Sequence, residues 1–193
     1  MQLTALIDRA LPGPGTSLDR VSGKIQAAVR SAVDRPGLSP VATVLRGNEW
    51  LGHPLHPVVV AWPIGAWIVG AWYDVRSAVT NDARDEHAAD AALRVGAVGA
   101  LAAATTGVVQ FVDAHREARR ETAVHAALNN YALVVYLLSL AMRRRGRRSL
   151  GRRLAAFGLG IVSISGWLGG DIAFRHGVGV QRIPERDSSL QER

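Results

Sequence analysis

The sequence predicts an all-α integral membrane protein, a four-helix bundle preceded by an amphipathic amino-terminal arm. Three observations predict it. The 48% apolar residues of this 193-residue chain are gathered into four long blocks with the charges between them. Each block is of bilayer-crossing length. The apolar residues run around each block, where a soluble bundle helix would keep a polar stripe. A water-soluble alanine-rich bundle is the competing reading, and AVGALAAATTGVV in the second block is its best support.

Residues 1–49 form the arm. Leu11 to Gly15 (LPGPG) and the Pro36, Gly37 and Pro40 cluster read as turns. Between them Leu18, Val21, Ile25, Val29 and Val33 recur at helical spacing opposite Arg20, Lys24 and Arg30, predicting a helix over about 17–33. Such a helix either lies flat on a membrane or packs on the protein's own spans. The start, MQLTALIDRALPG, has no basic segment and carries Asp8, so it does not read as a secretory signal. The first span then serves as the insertion signal.

Residues 50–180 form the membrane domain, with spans at about 56–73, 92–112, 123–142 and 154–174. Trp62 at one end of the first span and Trp72 with Tyr73 at the other suit interfacial belts, and Trp67 suits packing. Gly96 with Ala100, Gly99 with Ala103, and Gly166 with Gly170 have the spacing of close helix contact in lipid, which also allows a homo-oligomer. No internal repeat stands out. Residues 181–193 read as a charged, flexible tail.

Four crossings put the arm, the second loop and the tail on one face, and the first and third loops on the other. The stretch Arg143 to Arg153, RRRGRRSLGRR, reads as a solvated basic loop touching lipid headgroups. By the positive-inside tendency it is cytoplasmic and both termini are outside. The net charge of +7 is spent on such segments, so nucleic acid is not an expected partner. The chain has no cysteine, which excludes disulfides, thiolate metal sites and thiol nucleophiles. It shows no HExxH, P-loop or dinucleotide fingerprint, so an enzyme is not the favoured reading.

The same sorting places His53, His56, His115, His125 and His176 on the amino-terminal face and only His87 on the other. A helix starting at Pro54 tolerates both prolines in its first turn and sets His53 and His56 three apart. His125 opens the third span with Asn129 one turn deeper. Asp171 is a carboxylate inside a mostly apolar stretch and needs a partner, either Arg175 four residues on or an imidazole. Two chemistries suit this set. One is a haem b iron held between imidazoles drawn from His53, His56, His125 and His176; the other is a different metal bound by those histidines with Asp171. The opposed reading is a cofactor-free structural or partner-binding domain whose histidines only make hydrogen bonds.

The motifs GHPLHP (Gly52 to Pro57), HAALNN (His125 to Asn130) and GGDIAFRHGVGV (Gly169 to Val180) together resemble a family of bacterial predicted membrane proteins, domain-of-unknown-function family 2231, over roughly Trp50 to Val180. The resemblance implies a four-helix domain of the bacterial inner membrane. Some relatives join it to a Rieske iron–sulfur module, which points to electron transfer. No such module is expected in a chain without cysteine, so a redox role calls for a separate partner protein or a quinone.

Overall fold

The computed structural model describes residues 13–180; the expectations for the first apolar stretch and for the 181–193 tail lie outside them. Among the described residues every regular element is helical. The arm comprises α1 (Ser17–Val33), α2 (Ser39–Arg46) and the single turn α3 (Asn48–Leu51). Four long helices follow: α4 (His56–Thr80), α5 (Ala83–Gln110), α6 (Arg116–Arg144) and α7 (Arg148–Phe174), with a short 3-10 turn, Phe111–Asp113, between α5 and α6. All four are long and apolar enough to cross a membrane.

Each long helix outruns its predicted span. With 25 to 29 residues apiece, they measure about 38–44 Å at ~1.5 Å per residue against a hydrocarbon core of ~30 Å. Helix therefore continues through sequence that reads as loop. Asp82 caps α5, its Oδ1 accepting from the Arg84 amide at 2.8 Å, and only Asn81, at φ 55, and Asp82 join α4 to α5.

The arginine stretch is likewise not a solvated loop. Arg143 and Arg144 finish α6, and α7 starts at Arg148. Arg143 is buried, its side chain 1% exposed, and forks onto both oxygens of Asp74 while its Nη1 donates to Asp90 at 3.0 Å. Arg148 pairs with Glu86 and Asp90, Arg152 with Glu86, and Arg76 with Asp85. Four carboxylates thus offset four guanidinium groups at this end, while Arg144, Arg145, Arg147 and Arg153 stay exposed. Sequence inspection sees the arginines as one run and the acids as scattered, because the partners come from other helices.

Packing is closest within two hairpins, α4 with α5 and α6 with α7. The hairpins repeat each other, contrary to the expectation of no repeat. His56 lies over Gly107 and His125 over Gly169. Three turns deeper, the Trp67 indole covers Gly96 and the Tyr136 ring covers Gly158. Both hairpins leave from and return to the same face, so the relation is a pseudo-two-fold about the membrane normal. Equivalent residues meet across it: Trp67 and Tyr136 stack with centroids 4.0 Å apart and planes 10° apart, and Asp74 pairs with Arg143. The exterior carries exposed Trp62, Ile68, Trp72, Val98, Leu101, Leu137 and Ile164, apolar surface suited to lipid. The expected close contact at Gly166 and Gly170 is absent, since both face open space.

α1 settles on the bundle by its polar side. Gln26 Nε2 donates to Phe111 O at 2.9 Å and also to Ala114 O, and Arg30 donates to Val112 O, so side chains of α1 bond to backbone carbonyls in and just after the 3-10 turn. Asp19 accepts from Arg119 at 2.7 Å and from Arg120 at 3.4 Å. Of the apolar stripe of α1, Val21 and Ile25 are half exposed, while Leu18, Val29 and Val33 are partly buried. Of the two sequence readings for this helix, packing on the protein's own spans is realised, through the polar face.

Three outcomes follow from these contacts. Gly96→Ala and Gly158→Ala, each placing a methyl into an aromatic ring, are expected to lower stability by about 1–3 kcal/mol; Gly160→Ala, facing open space, is expected to be neutral in the same thermal unfolding series in detergent. Arg143→Ala strands the buried Asp74 and is expected to cost about 3–5 kcal/mol, more than the joint change of Asp74→Leu and Arg143→Met, read by the same assay. The Gly15 amide and the Arg119 guanidinium hold the Asp19 carboxyl below its usual range. A depressed carboxyl stabilises above its unfolded value and loses that contribution as pH falls through the folded value. The arm is therefore expected to stay docked down to pH ~3.9 and to loosen below it, and Asp19→Asn to loosen it at neutral pH, as read by a spin-label distance from α1 to α6.

Candidate functional site

The amino-terminal face gathers the polar residues that the sequence singled out, in three separate places. His53 is exposed on the turn before α4, its Nδ1 beside its neighbour's carbonyl. α4 begins at His56, with Pro57 in its first turn and Pro54 outside it. Pro57 there costs no hydrogen bond, since first-turn amides are unpaired. The expected helix start at Pro54 is thus corrected, and His53 does not share a helix turn with His56.

His56 and His125 form the second place and occupy equivalent positions. The Nδ1 of His56 is 3.0 Å from Ala103 O and 3.1 Å from Thr106 Oγ1. The Nδ1 of His125 is 2.9 Å from Ser165 O and 3.1 Å from Ser165 Oγ. A carbonyl oxygen can only accept, so both rings carry the proton on Nδ1 and the lone pair on Nε2. Each ring edge lies over a glycine of the paired helix, where a Cβ at Gly107 or Gly169 would stand 2.9 Å from Cε1. Asn129 Nδ2 donates to Nε2 of His125 at 3.0 Å, as the Nδ1–H form requires. Among the described residues Nε2 of His56 receives no hydrogen bond.

The third place is built by the end of α7. Gly177, at φ 68, turns the chain after the helix, and the amides of His176 and Val178 donate back to Asp171 O and Ile172 O. That turn brings His176 over the start of α6, its Nε2 2.8 Å from Glu121 Oε2. Asp171 lies in the same cluster, its Oδ2 2.9 Å from Arg175 Nε, and Arg175 Nη2 reaches Glu121 Oε1 at 2.9 Å. Asp171 therefore has its i,i+4 arginine as partner, the first of the two options open in the sequence.

Glu121 is the residue that sequence reasoning passed over, treating it only as a span boundary. Its signal was available: it precedes His125 by one helical turn, at the depth assigned to Asp171. Val178 and Gly179 then lie against the 3-10 turn and against Gln110 and Pro54, so the two outer motifs, GHPLHP and HGVGV, touch. The structure brings His176 and Asp171 together with Glu121, gives His56 and His125 matching carbonyl partners on their paired helices, and leaves His53 on the exposed turn.

No curated protein and no solved structure matches the chain. Residues 52–182, more than half of it, match the family of predicted membrane proteins DUF2231. They include the histidine–proline turn, both packed histidines and the acid–histidine cluster, and the chain belongs to that family.

Proposed function

We propose that this chain is a membrane electron-transfer subunit in which His56 and His125 are the ligands of a haem b, working with a separate redox protein or a quinone in the bacterial inner membrane, with the arginine end cytoplasmic. The observation that carries the reading is the shared pinning of both rings: a carbonyl of the paired helix holds Nδ1–H, and Nε2 is left as the electron-pair donor. That is the tautomer a ligating imidazole needs. Glycines under both rings keep side chains out of their edge. The donor set fits haem iron, which takes two neutral imidazoles and supplies one-electron chemistry when bound. Asn129 has to turn away from Nε2 of His125 for ligation. His53 is exposed, its Nδ1 beside its neighbour's carbonyl, and His176 is engaged with Glu121.

One observation favours a cofactor-free domain instead. Every nitrogen of His125 already has a partner, so the histidines can serve as clasps between paired helices.

The protein purified in mild detergent from haem-sufficient cells is expected to show a Soret band that His56→Ala and His125→Ala each abolish and that His53→Ala and His87→Ala leave in place. A colourless, haem-free preparation of folded protein establishes the clasp reading. His125→Ala then leaves the Ser165 and Asn129 groups unpaired and costs about 1–3 kcal/mol of stability with no spectral change.

A further inference from the structure

We infer that Glu121, Asp171 and His176 form a binding site for a divalent transition-series cation, with zinc as its type. One ligand atom from each of the three lies within 4.8 Å of the others, so a small inward movement of the side chains brings them to the ~2.0–2.2 Å metal–ligand distances of a single ion. Glu121 and Asp171 are buried, their side chains 2% and 7% exposed, and His176 is 15% exposed. An acidic cluster alone does not make a site, and the second observation concerns its lone pairs. Glu121 Oε2 and Asp171 Oδ2 are both buried without a hydrogen bond.

Arg175 Nε stands beside Asp171 Oδ2 without aiming its N–H at it. His176 Nε2 lies 3.1 Å from Arg175 Nη2, which can only donate, so that nitrogen bears a lone pair. The same nitrogen is 2.8 Å from the unpaired Glu121 Oε2. Two lone-pair atoms at that separation repel unless a proton or a metal cation bridges them. A buried carboxylate oxygen that receives no hydrogen bond is costly, and a cation coordinated by both oxygens and by Nε2 lowers that cost. One imidazole with two carboxylates suits zinc, manganese or ferrous ion better than a soft monovalent metal.

Access comes from the amino-terminal face, where a cleft lined in part by Asp19, His115, Glu117, Arg120 and His176 opens beside the cluster. Arg175 competes with the cation for the same oxygens. The site is separate from the histidine pair above and does not depend on it.

The test uses full-length protein in detergent, stripped with chelator and titrated with zinc alone. One saturable equivalent per chain is expected, with raised thermal stability. Replacing zinc by cobalt is expected to give visible d–d bands. Glu121→Gln and His176→Ala are each expected to weaken binding at least tenfold. Should either variant fail to fold, Arg175→Gln decides: removing the competing guanidinium is expected to tighten zinc binding, whereas a purely structural ion-pair network predicts lower stability and no binding. His56→Ala is expected to bind zinc as the parent does, which keeps this outcome distinct from that of the haem experiment. Absence of saturable binding by the folded parent, or binding unchanged by Glu121→Gln, overturns the assignment.

Discussion

The contact on which the architecture depends is the stack of Trp67 on Tyr136 at the centre of the bundle. Within each hairpin the helices approach closely because a glycine, Gly96 or Gly158, gives an aromatic ring a flat bed on its partner helix. Between the hairpins there is less close packing, and lipid offers no hydrophobic drive for helices to associate. What joins the halves is large side chains meeting at the pseudo-axis. The two rings, already bedded on their glycines, stack face to face and fill the gap. Asp74 and Arg143, about two turns deeper, close the same axis with charge. Each level presupposes the other: the stack sets the separation at which the guanidinium fork reaches the carboxylate.

The two ends of the bundle use charge differently. At the arginine end, guanidinium groups of α4, α6 and α7 interleave with acids of α4 and α5, so the protruding helix ends are tied in a lattice rather than left to fray. At the opposite end the connections are longer, and carbonyls of the 3-10 turn are met by Gln26 and Arg30 of α1. The arm thus substitutes for water over one turn of backbone. The cost is two apolar side chains of α1, Val21 and Ile25, left half exposed.

Much of this was legible in the sequence, and the rest was hidden for specific reasons. The four spans follow from apolar run length, a property of contiguous residues. Sequence order alone also puts His56, His125 and His176 on one face. The ion lattice was invisible because Arg143 meets an acid 69 positions away, and linear spacing carries no sign of that. The repeat was invisible because only its contact residues recur: His56 with His125, Gly107 with Gly169, and an aromatic ring at Trp67 and Tyr136. Lipid-facing positions between them are free to drift among apolar residues, which erases the similarity. Glu121 was missed because a charge at a span boundary reads as a stop signal, and only the Gly177 turn shows that His176 returns to it.

The repeat also separates what the scaffold needs from what it does not. Histidine on glycine and ring on glycine occur in both halves, and both contribute to building a hairpin. The acid cluster occurs once. The counterparts of Glu121, Asp171 and His176 in the first half are Gly52, Val109 and Ala114. Val109 and Ala114 are buried apolar residues there, and the first hairpin closes well with them. The fold therefore does not call for two carboxylates and an imidazole at that end, and an apolar set serves the packing without the desolvation that buried charge incurs. The departure from symmetry costs stability that packing alone does not recover. The proposed cation, held only by the second half, would supply that compensation and tie the third and fourth spans together at the face where the arm is docked.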